Sequence, residues 1–289
     1  MGMDNIARLV GSAFKYGRRI YIGANAYLVG LNSTQLLSLK GPARLQGFHT
    51  PSNRYELKWV AGQAGKPGIN ADIAPAFSGN DAADAAELIV HNITDKHFEI
   101  LGTNGTSTLC TYYAEGGILL TTDTGATDSM ILLPHLDANQ TPWTAITWGT
   151  DREVEWECDI GTNATITNEV IWAGLKLTNT DVTATDADQV FFRYAPATAS
   201  GVWQAISSVA DTDTTTNSSV TVAASTRYHL KIMIDSSRIA RMYINGTLIQ
   251  TSSALTDAID LIPYIGVLNS SGAAHAIRIH SQAISRAIA

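Results

Sequence analysis

The fold is decided between Asp151 and Arg193, where the chain reads DREVEWECDI (151–160), NEVIWAGLKLT (168–178) and DQVFFR (188–193), with polar turns between the runs. In the first run two rows alternate, apolar Val154, Trp156, Cys158 and Ile160 with acidic Glu153, Glu155, Glu157 and Asp159. A period of two places the rows on opposite faces of a β-strand. The other runs are more continuously apolar, which is typical of strands covered on both faces. Three such strands in succession predict the core of an antiparallel sandwich.

The same alternation of short apolar runs and turns continues from Lys96 to the end of the chain. The turns are rich in Gly, Asn, Thr and Asp, and Asn245–Gly246 is the strongest hairpin signal because both residues tolerate positive φ. Many short strands at nearly regular spacing are typical of a two-sheet sandwich. We therefore predict an all-β fold, an antiparallel jelly-roll sandwich, over residues 94–289.

Residues 1–93 differ from the rest because Gly and Pro repeatedly interrupt their apolar groups. We predict an extended N-terminal arm with one short helix at Asp81–Val90, where an Asn or Asp cap precedes Ala, Glu and Leu. The apolar side chains of the arm need a surface, either the body of this chain or a neighbouring subunit.

Charge is distributed unevenly along the chain. The first sixty residues hold eight Lys/Arg and two acidic residues, a net of +6, whereas the whole chain has a net charge of −7. A basic arm on an acidic body predicts either an acidic partner surface or a strand docked on its own body. The residues expected to make assembly contacts are Arg8, Lys15, Arg18, Arg19, Tyr21 and Tyr27.

Composition excludes several classes of protein. With 45% hydrophobic and 16% charged residues the chain is globular, and its two cysteines, Cys110 and Cys158, cannot form a disulfide framework. No apolar run approaches the roughly 18 residues that a membrane span needs. None of the seven histidines stands in a metal-ligand or nucleophile pattern, and no glycine loop of the phosphate-binding type occurs. We expect no cofactor and no catalytic activity.

A family resemblance is carried by IWAGLKLTNT (171–180), ATDADQVFFRY (184–194), TRYHLKIMIDSSRIARMYINGTLI (226–249), LIPYIGV (261–267) and RIHSQAISR (278–286). Together these runs resemble the concanavalin-like, or laminin-G-like, sandwiches attached to tailed-bacteriophage structural proteins. A hairpin with Tyr-Ile-Asn-Gly at its turn, here Tyr243–Gly246, recurs in that group. The resemblance covers Lys96 to Ile288, and the plan of an arm followed by a sandwich resembles capsid decoration or cement proteins.

This resemblance implies a non-enzymatic capsid decoration protein, located in the virion and assembled in the cytoplasm of a bacterial host. The expected partners are the major capsid protein or other virion proteins, and the chain is expected to form a homo-oligomer. Neither a membrane nor nucleic acid is expected as a partner. The sandwich also hosts lectins and hydrolases, so two alternatives stay open: a glycan-binding adhesin module of a head fibre or tail, and a glycoside hydrolase.

The hydrolase alternative rests on the acidic row, which is similar to the Glu-x-Asp-x-Glu strand of one group of sandwich glycosidases. A retaining mechanism needs two carboxyl groups about 5–5.5 Å apart, and alternate residues of a strand lie roughly 6.6–6.8 Å apart at the backbone. This chain has Glu155 where that family has Asp. We favour the other interpretation, an acidic face that is solvated or paired with the basic arm.

Two further sites are suggested by loop residues. Asp181, Asp186 and Asp188 could supply oxygen ligands to Ca²⁺, although Asp in turns more often bonds the backbone. Trp143 and Trp148 flank a turn-rich segment, and we expect them to be exposed and able to stack on a glycan.

Overall fold

The computed structural model describes residues 20–23, 26–28, 46–49, 54–60, 76–79, 86–89, 96–112, 118–134, 147–178 and 186–287. Within these ranges the regular secondary structure is almost entirely β-strand, as predicted. The exceptions are a short 3-10 helix at Ser107–Leu109 and a four-residue helix, α1, at Pro196–Ala199. No helix among the described residues has the length and apolar character needed to cross a bilayer.

Twenty strands are numbered in chain order: β1 (Ile20–Gly23), β2 (Ala26–Leu28), β3 (Gln46–His49), β4 (Arg54–Val60), β5 (Ala76–Gly79), β6 (Ala86–Ile89), β7 (Lys96–Leu101), β8 (Cys110–Tyr112), β9 (Ile118–Thr121), β10 (Ser129–Pro134), β11 (Glu155–Thr162), β12 (Glu169–Lys176), β13 (Gln189–Tyr194), β14 (Val202–Val209), β15 (Thr212–Thr221), β16 (Arg227–Ile234), β17 (Ile239–Ile244), β18 (Thr247–Ala254), β19 (Ile262–Asn269) and β20 (Ala276–Ala287).

Two nine-stranded antiparallel sheets contain all of these strands except β1 and β2, which pair with each other. The first sheet has the order β18-β17-β16-β11-β20-β4-β3, with β9 paired to the beginning of β20 and β8 paired to β9. The second sheet has the order β15-β14-β13-β12-β19-β10-β7-β6-β5. Sequence neighbours therefore often pair as hairpins, whereas β11, β19 and β20 join strands that are distant in the chain.

The main core lies between the two sheets. The apolar row of β11 points into it, and Trp156, Cys158 and Ile160 are almost fully buried, which confirms the predicted alternation. Facing residues of the second sheet include Phe192 and Trp203. Side chains from the two sheets pack against each other there. Each large apolar side chain that is removed from water contributes about 1.5–3 kcal/mol of transfer free energy to folding.

A second apolar cluster lies on the outer face of the second sheet, formed by Ile131, Leu133, Trp172, Phe191, Ile206 and Tyr264. Strands β12 and β13 are therefore buried on both faces, as their continuous apolar sequence predicted. Trp172 lies against β19, where a Cβ on Gly266 would come within 2.5 Å of its indole nitrogen. Glycine at position 266 thus makes room for the ring.

The hairpin between β17 and β18 turns at Asn245 and Gly246, both with positive φ (50° and 81°), as the sequence predicted. Asn269, at the end of β19, connects two loops that each run from one sheet to the other. Its amide nitrogen donates to the carbonyl oxygens of Asp123 and Gly125, and its amide oxygen accepts from the backbone of Ser271. One buried side chain therefore fixes the loop entering β10 and the loop leaving β19.

Strands from within residues 1–93 extend both sheets. β4 pairs with residues 281–287 of β20 and with β3, and β6 pairs with β7 and β5. The helix predicted at Asp81–Val90 is wrong where the structure describes it, because Ala86–Ile89 is a strand. Hydrogen bonding to β7 outweighs the helix propensity of this short Ala- and Glu-containing segment.

The expected assembly residues of the arm have different outcomes. Arg8, Lys15, Arg18 and Arg19 lie outside the described residues, and Tyr21 and Tyr27 are paired across the β1–β2 ladder. The division of the chain at residue 93 and the assembly role of these residues stay predictions.

Candidate functional site

The acidic row lies on the outer face of the first sheet, in the first half of β11 and just before it. The side chains of Glu155, Glu157 and Asp159 are partly buried there, since each lies between neighbours on β16 and β20. On β16 the residues Lys231 and His229 stand opposite Glu157 and Asp159. Glu153 precedes the strand and is exposed, with a positive φ of 49°.

Glu155 is held by two cations from opposite sides. The Nζ of Lys231 lies 3.0 Å from one of its carboxyl oxygens, and Nη1 of Arg54 lies 3.5 Å from the other. Arg54 also donates to the hydroxyl of Ser285 at 3.0 Å and to the carbonyl oxygen of Glu153 at 2.5 Å. The guanidinium thus reaches from β4 across β20 to β11 and joins three strands.

Asp159 is the most strongly paired carboxylate of the row. It accepts from Arg227 at 2.5 Å, from Nδ1 of His229 at 3.2 Å when that nitrogen carries the proton, and from the hydroxyl of Ser281 at 3.2 Å. Partial burial acts to raise the pKa of Asp159, but the hydrogen bond and charge of Arg227, with a contribution from His229, lower it. Asp159 is therefore an anion over the whole neutral range.

Glu157 has the loosest surroundings in the row, with Nε2 of His229 at 3.7 Å. Beside it a shallow surface depression is lined by Glu155, Glu157, Ala283, Ile284 and Ser285. The depression exists because β20 presents the small residues Ala283 and Ser285 opposite the two glutamates. It offers carboxylates and one hydroxyl, and a glycosidase would also need one carboxyl group in its protonated form.

The basic half of this network was missed by the sequence interpretation. Arg227, His229 and Lys231 alternate along β16 with the same period of two as the acids of β11. That alternation is visible in the sequence RYHLKIMI, and it indicates a strand whose polar row complements an acidic one. Arg54 carries no comparable signal, because its contacts depend on β4 pairing with a strand more than two hundred residues away.

Trp148 is not the exposed residue that we predicted, since its side chain is 2% exposed and belongs to the main core. The loop before β11 is fixed by Asp260, which accepts from the backbone N–H of Trp148 at 2.5 Å, and by an isolated bridge between Gly149 and Asp260. Trp143 lies outside the described residues, so its contact with a glycan stays a prediction.

The proposed calcium ligands are only partly described. Asp181 lies outside the described residues, and both carboxyl oxygens of Asp186 accept from Thr178, one from its N–H at 2.8 Å and one from its hydroxyl at 2.9 Å. Asp188 is buried. Among the residues that the structure describes, no group of three or more His, Cys, Asp or Glu could hold a metal ion. A calcium site that includes Asp181 stays a prediction.

Another polar row crosses the outer face of the second sheet. Nε of Arg193 donates to Gln204 at 3.0 Å, and the amide nitrogen of Gln204 donates to Asn217 at 2.8 Å. On β12, the residue opposite Arg193 is Trp172, which belongs to the second apolar cluster. Sequence reasoning did not single out these residues, because their alignment depends on the pairing of four strands.

Comparison with known proteins establishes the fold alone. No protein-family model matches the chain, and no curated protein matches it. A crystal structure of a protein of unknown function from Shewanella oneidensis MR-1 is similar, with a TM-score of 0.50, 12% identity, and 89% of this chain and 94% of that chain covered. Similarity is also found to the alginate lyase A1-II′ of polysaccharide lyase family 7 (TM-score 0.49, 11% identity, 66% and 96% covered). A third similar structure is the carbohydrate-binding module CBM66 from Bacillus subtilis (TM-score 0.40, 10% identity, 65% and 94% covered).

Proposed function

We propose that this chain is a non-enzymatic structural protein of a tailed-bacteriophage virion, of the capsid decoration type. The proposal starts from the resemblance of residues 96–288 to sandwiches of phage structural proteins. The observation that carries its non-enzymatic part is the pairing of the acidic row. Glu155 and Asp159 are held by Lys231, Arg54 and Arg227, so the row stabilises the sheet.

An assembly role for the N-terminal region is supported by charge. The first sixty residues have a net charge of +6, and one basic residue of that region, Arg54, contacts the acidic β11. Further basic residues before β3 would meet acidic surfaces of neighbouring virion proteins in the same way. Such ionic contacts mainly set approach and register, while apolar contacts supply most of the affinity.

Virions of the phage that encodes this chain provide the direct test. We expect gradient-purified particles to contain the chain at a fixed number of copies per capsid, as quantified by peptide mass spectrometry. A variant lacking residues 1–45 retains β3 and β4 but loses six basic residues, and we expect it to be absent from particles. If the wild-type chain is absent from purified virions, or if the truncated chain is incorporated normally, the proposal fails.

Catalytic inertness has its own test. The wild-type protein should leave a panel of β-glucans, galactans and alginate intact during prolonged incubation. Hydrolysis or lyase activity that disappears in both Glu155→Gln and Glu157→Gln would show that the acidic row is catalytic. Activity that persists in both variants would indicate a contaminating enzyme.

A glycan-binding module is the second candidate, and the polar row of Arg193, Gln204 and Asn217 favours it. Aligned guanidinium and amide groups are suitable hydrogen-bonding partners for sugar hydroxyls, and Asn217 is exposed. Trp172 and Gln204 are only 3% and 5% exposed, so binding would use Asn217 and Arg193 more than Gln204 or ring stacking. Titration with host surface polysaccharide should then show binding that Asn217→Ala weakens and that Thr251→Ala, an exposed position on the other sheet, leaves unchanged.

A further inference from the structure

The hairpin formed by β3 and β4 is attached to the described sandwich along one strand. Residues 54–60 of β4 pair with residues 281–287 of β20 in an antiparallel ladder, and β3 pairs with β4 on the other side. The neighbouring part of the same β20 edge, residues 276–279, is paired with β9. The hairpin therefore fills the remaining length of one sheet edge.

Beside the ladder, the side chain of Arg54 provides contacts that the structure describes for β4. Apart from the ladder, Arg54 contacts Glu153, Glu155 and Ser285. Its side chain is only 15% exposed, which shows that the guanidinium is enclosed by these partners. These acceptors belong to β11, to β20 or to Glu153, which lies two residues before β11. A β4 strand supplied by a second copy of the chain would find the same acceptors in the same geometry.

The connection that follows β4 is long enough to allow exchange. Fifteen residues separate Val60 from Ala76, and among them are three Gly and two Pro. A chain of that length can span up to about 50 Å when extended, at roughly 3.3–3.6 Å per residue. Exchange of a strand through such a connection needs no new interface, because it reuses the intramolecular one.

We propose that β4 is an exchangeable strand, which completes the first sheet of a second copy of this chain when copies are concentrated. The β20 edge at residues 281–287 is the docking surface, and Arg54 fixes the register by reaching Glu155 of the receiving copy. Within one chain the strand competes at an effective concentration in the millimolar range. Exchange therefore dominates where copies are held side by side, so its biological setting rests on the proposed virion function.

Cysteine cross-linking between different copies tests the exchange. Lys58 on β4 and Ala283 on β20 stand directly opposite each other in the ladder. Two single variants, Lys58→Cys and Ala283→Cys, are unfolded together, refolded at protein concentrations up to about 1 mM, and oxidised. We expect a disulfide-linked heterodimer on a non-reducing gel, with a yield that rises with protein concentration. Peptide mass spectrometry then identifies the 58–283 cross-link.

Three controls make each outcome decisive. The native cysteines, Cys110 and Cys158, are buried and burial raises the pKa of both thiols, so wild-type protein should give no dimer. Lys58→Cys mixed with Ser237→Cys, at an exposed turn, reports random collision. The double variant Lys58→Cys/Ala283→Cys should form an intramolecular disulfide at low concentration, and its failure to do so would contradict the register that the proposal needs.

A heterodimer yield no higher than that of the Ser237→Cys mixture, at every concentration, would overturn the exchange. This result uses isolated protein and leaves the virion proposal standing. Conversely, absence of the chain from virions would leave a positive cross-link valid.

Discussion

Glu169 places a carboxyl group at the start of β12, on the face of the sheet that packs into the core. Its side chain is fully buried, and neither carboxyl oxygen has a hydrogen-bond partner among the residues that the structure describes. Burial raises the pKa of Glu169 to about 8, from 4.5, because the charged form loses hydration without gaining a cation. The same carboxyl group contributes to the raised pKa of Tyr194, after burial of that tyrosine. Glu169 is therefore neutral at pH 7.

This shift predicts how stability depends on pH. Between about pH 4.5 and pH 8 the folded state holds a proton on Glu169 that the unfolded chain releases, so the contribution to stability is full below this window and is lost as pH rises through it. We expect Glu169→Gln to reduce this loss, as measured by urea unfolding at several pH values. Glu153→Gln, at an exposed position, is the control. Equal pH dependence in wild type and Glu169→Gln would contradict the prediction.

Trp172 tests whether the second apolar cluster is a true part of the core. The ring is 3% exposed and packs against Gly266, so Trp172→Ala should lower the free energy of unfolding by about 3–5 kcal/mol. Leu248→Ala is the control, because Leu248 is 49% exposed, and it should change the free energy by no more than about 0.5 kcal/mol. Similar small effects in both variants would remove Trp172 from the core.

At the scale of single elements, the acidic side chains of β11 pair with the basic side chains of β16. The net contribution of these pairs to the free energy of unfolding can be measured. The pair Asp159–Arg227 is partly exposed, so we expect a coupling free energy of about 0.2–1 kcal/mol. A double-mutant cycle with Asp159→Asn and Arg227→Gln, analysed by urea unfolding, gives this value. The coupling should decrease near 1 M salt, where the screening length is about 3 Å. A coupling that is unchanged by salt would show that the two side chains do not interact as ions.

Elements with a clear period were predictable from the sequence, and those that depend on a distant partner were not. The alternation of Trp156 and Cys158 with acidic residues predicted β11 and the face that it buries. The segment Ala86–Ile89 has a short helical pattern, yet it is a strand because β7 supplies hydrogen bonds to it. Trp148 lies in a turn-rich segment and was predicted to be exposed. It is buried in the main core, and its backbone N–H donates to Asp260, which is more than one hundred residues away in the sequence.

For the molecule as a whole, the sequence predicted two packed sheets but not their strand order. Each sheet includes contacts between residues more than one hundred positions apart, such as the ladder of β11 with β20. No local pattern specifies such a pairing, since many strands have equivalent alternation. The candidate site was predictable to the same degree: the acidic row was evident, whereas its pairing with Arg54 required the position of β4.

The position of β4 also predicts how the whole molecule responds to truncation. A variant lacking residues 1–45 retains β3 and β4, and we expect it to be soluble with nearly wild-type stability. A variant lacking residues 1–60 loses β4, which leaves residues 281–287 of β20 as an open edge and removes Arg54 from Glu155. Unpaired edges template association between chains, so the longer deletion should unfold at lower denaturant concentration and form large species in size-exclusion chromatography. The control is Ser237→Ala, a substitution at an exposed turn, which should unfold and elute like the wild-type protein. If both truncated proteins are equally stable and monomeric, β4 is not an integral strand of the sandwich.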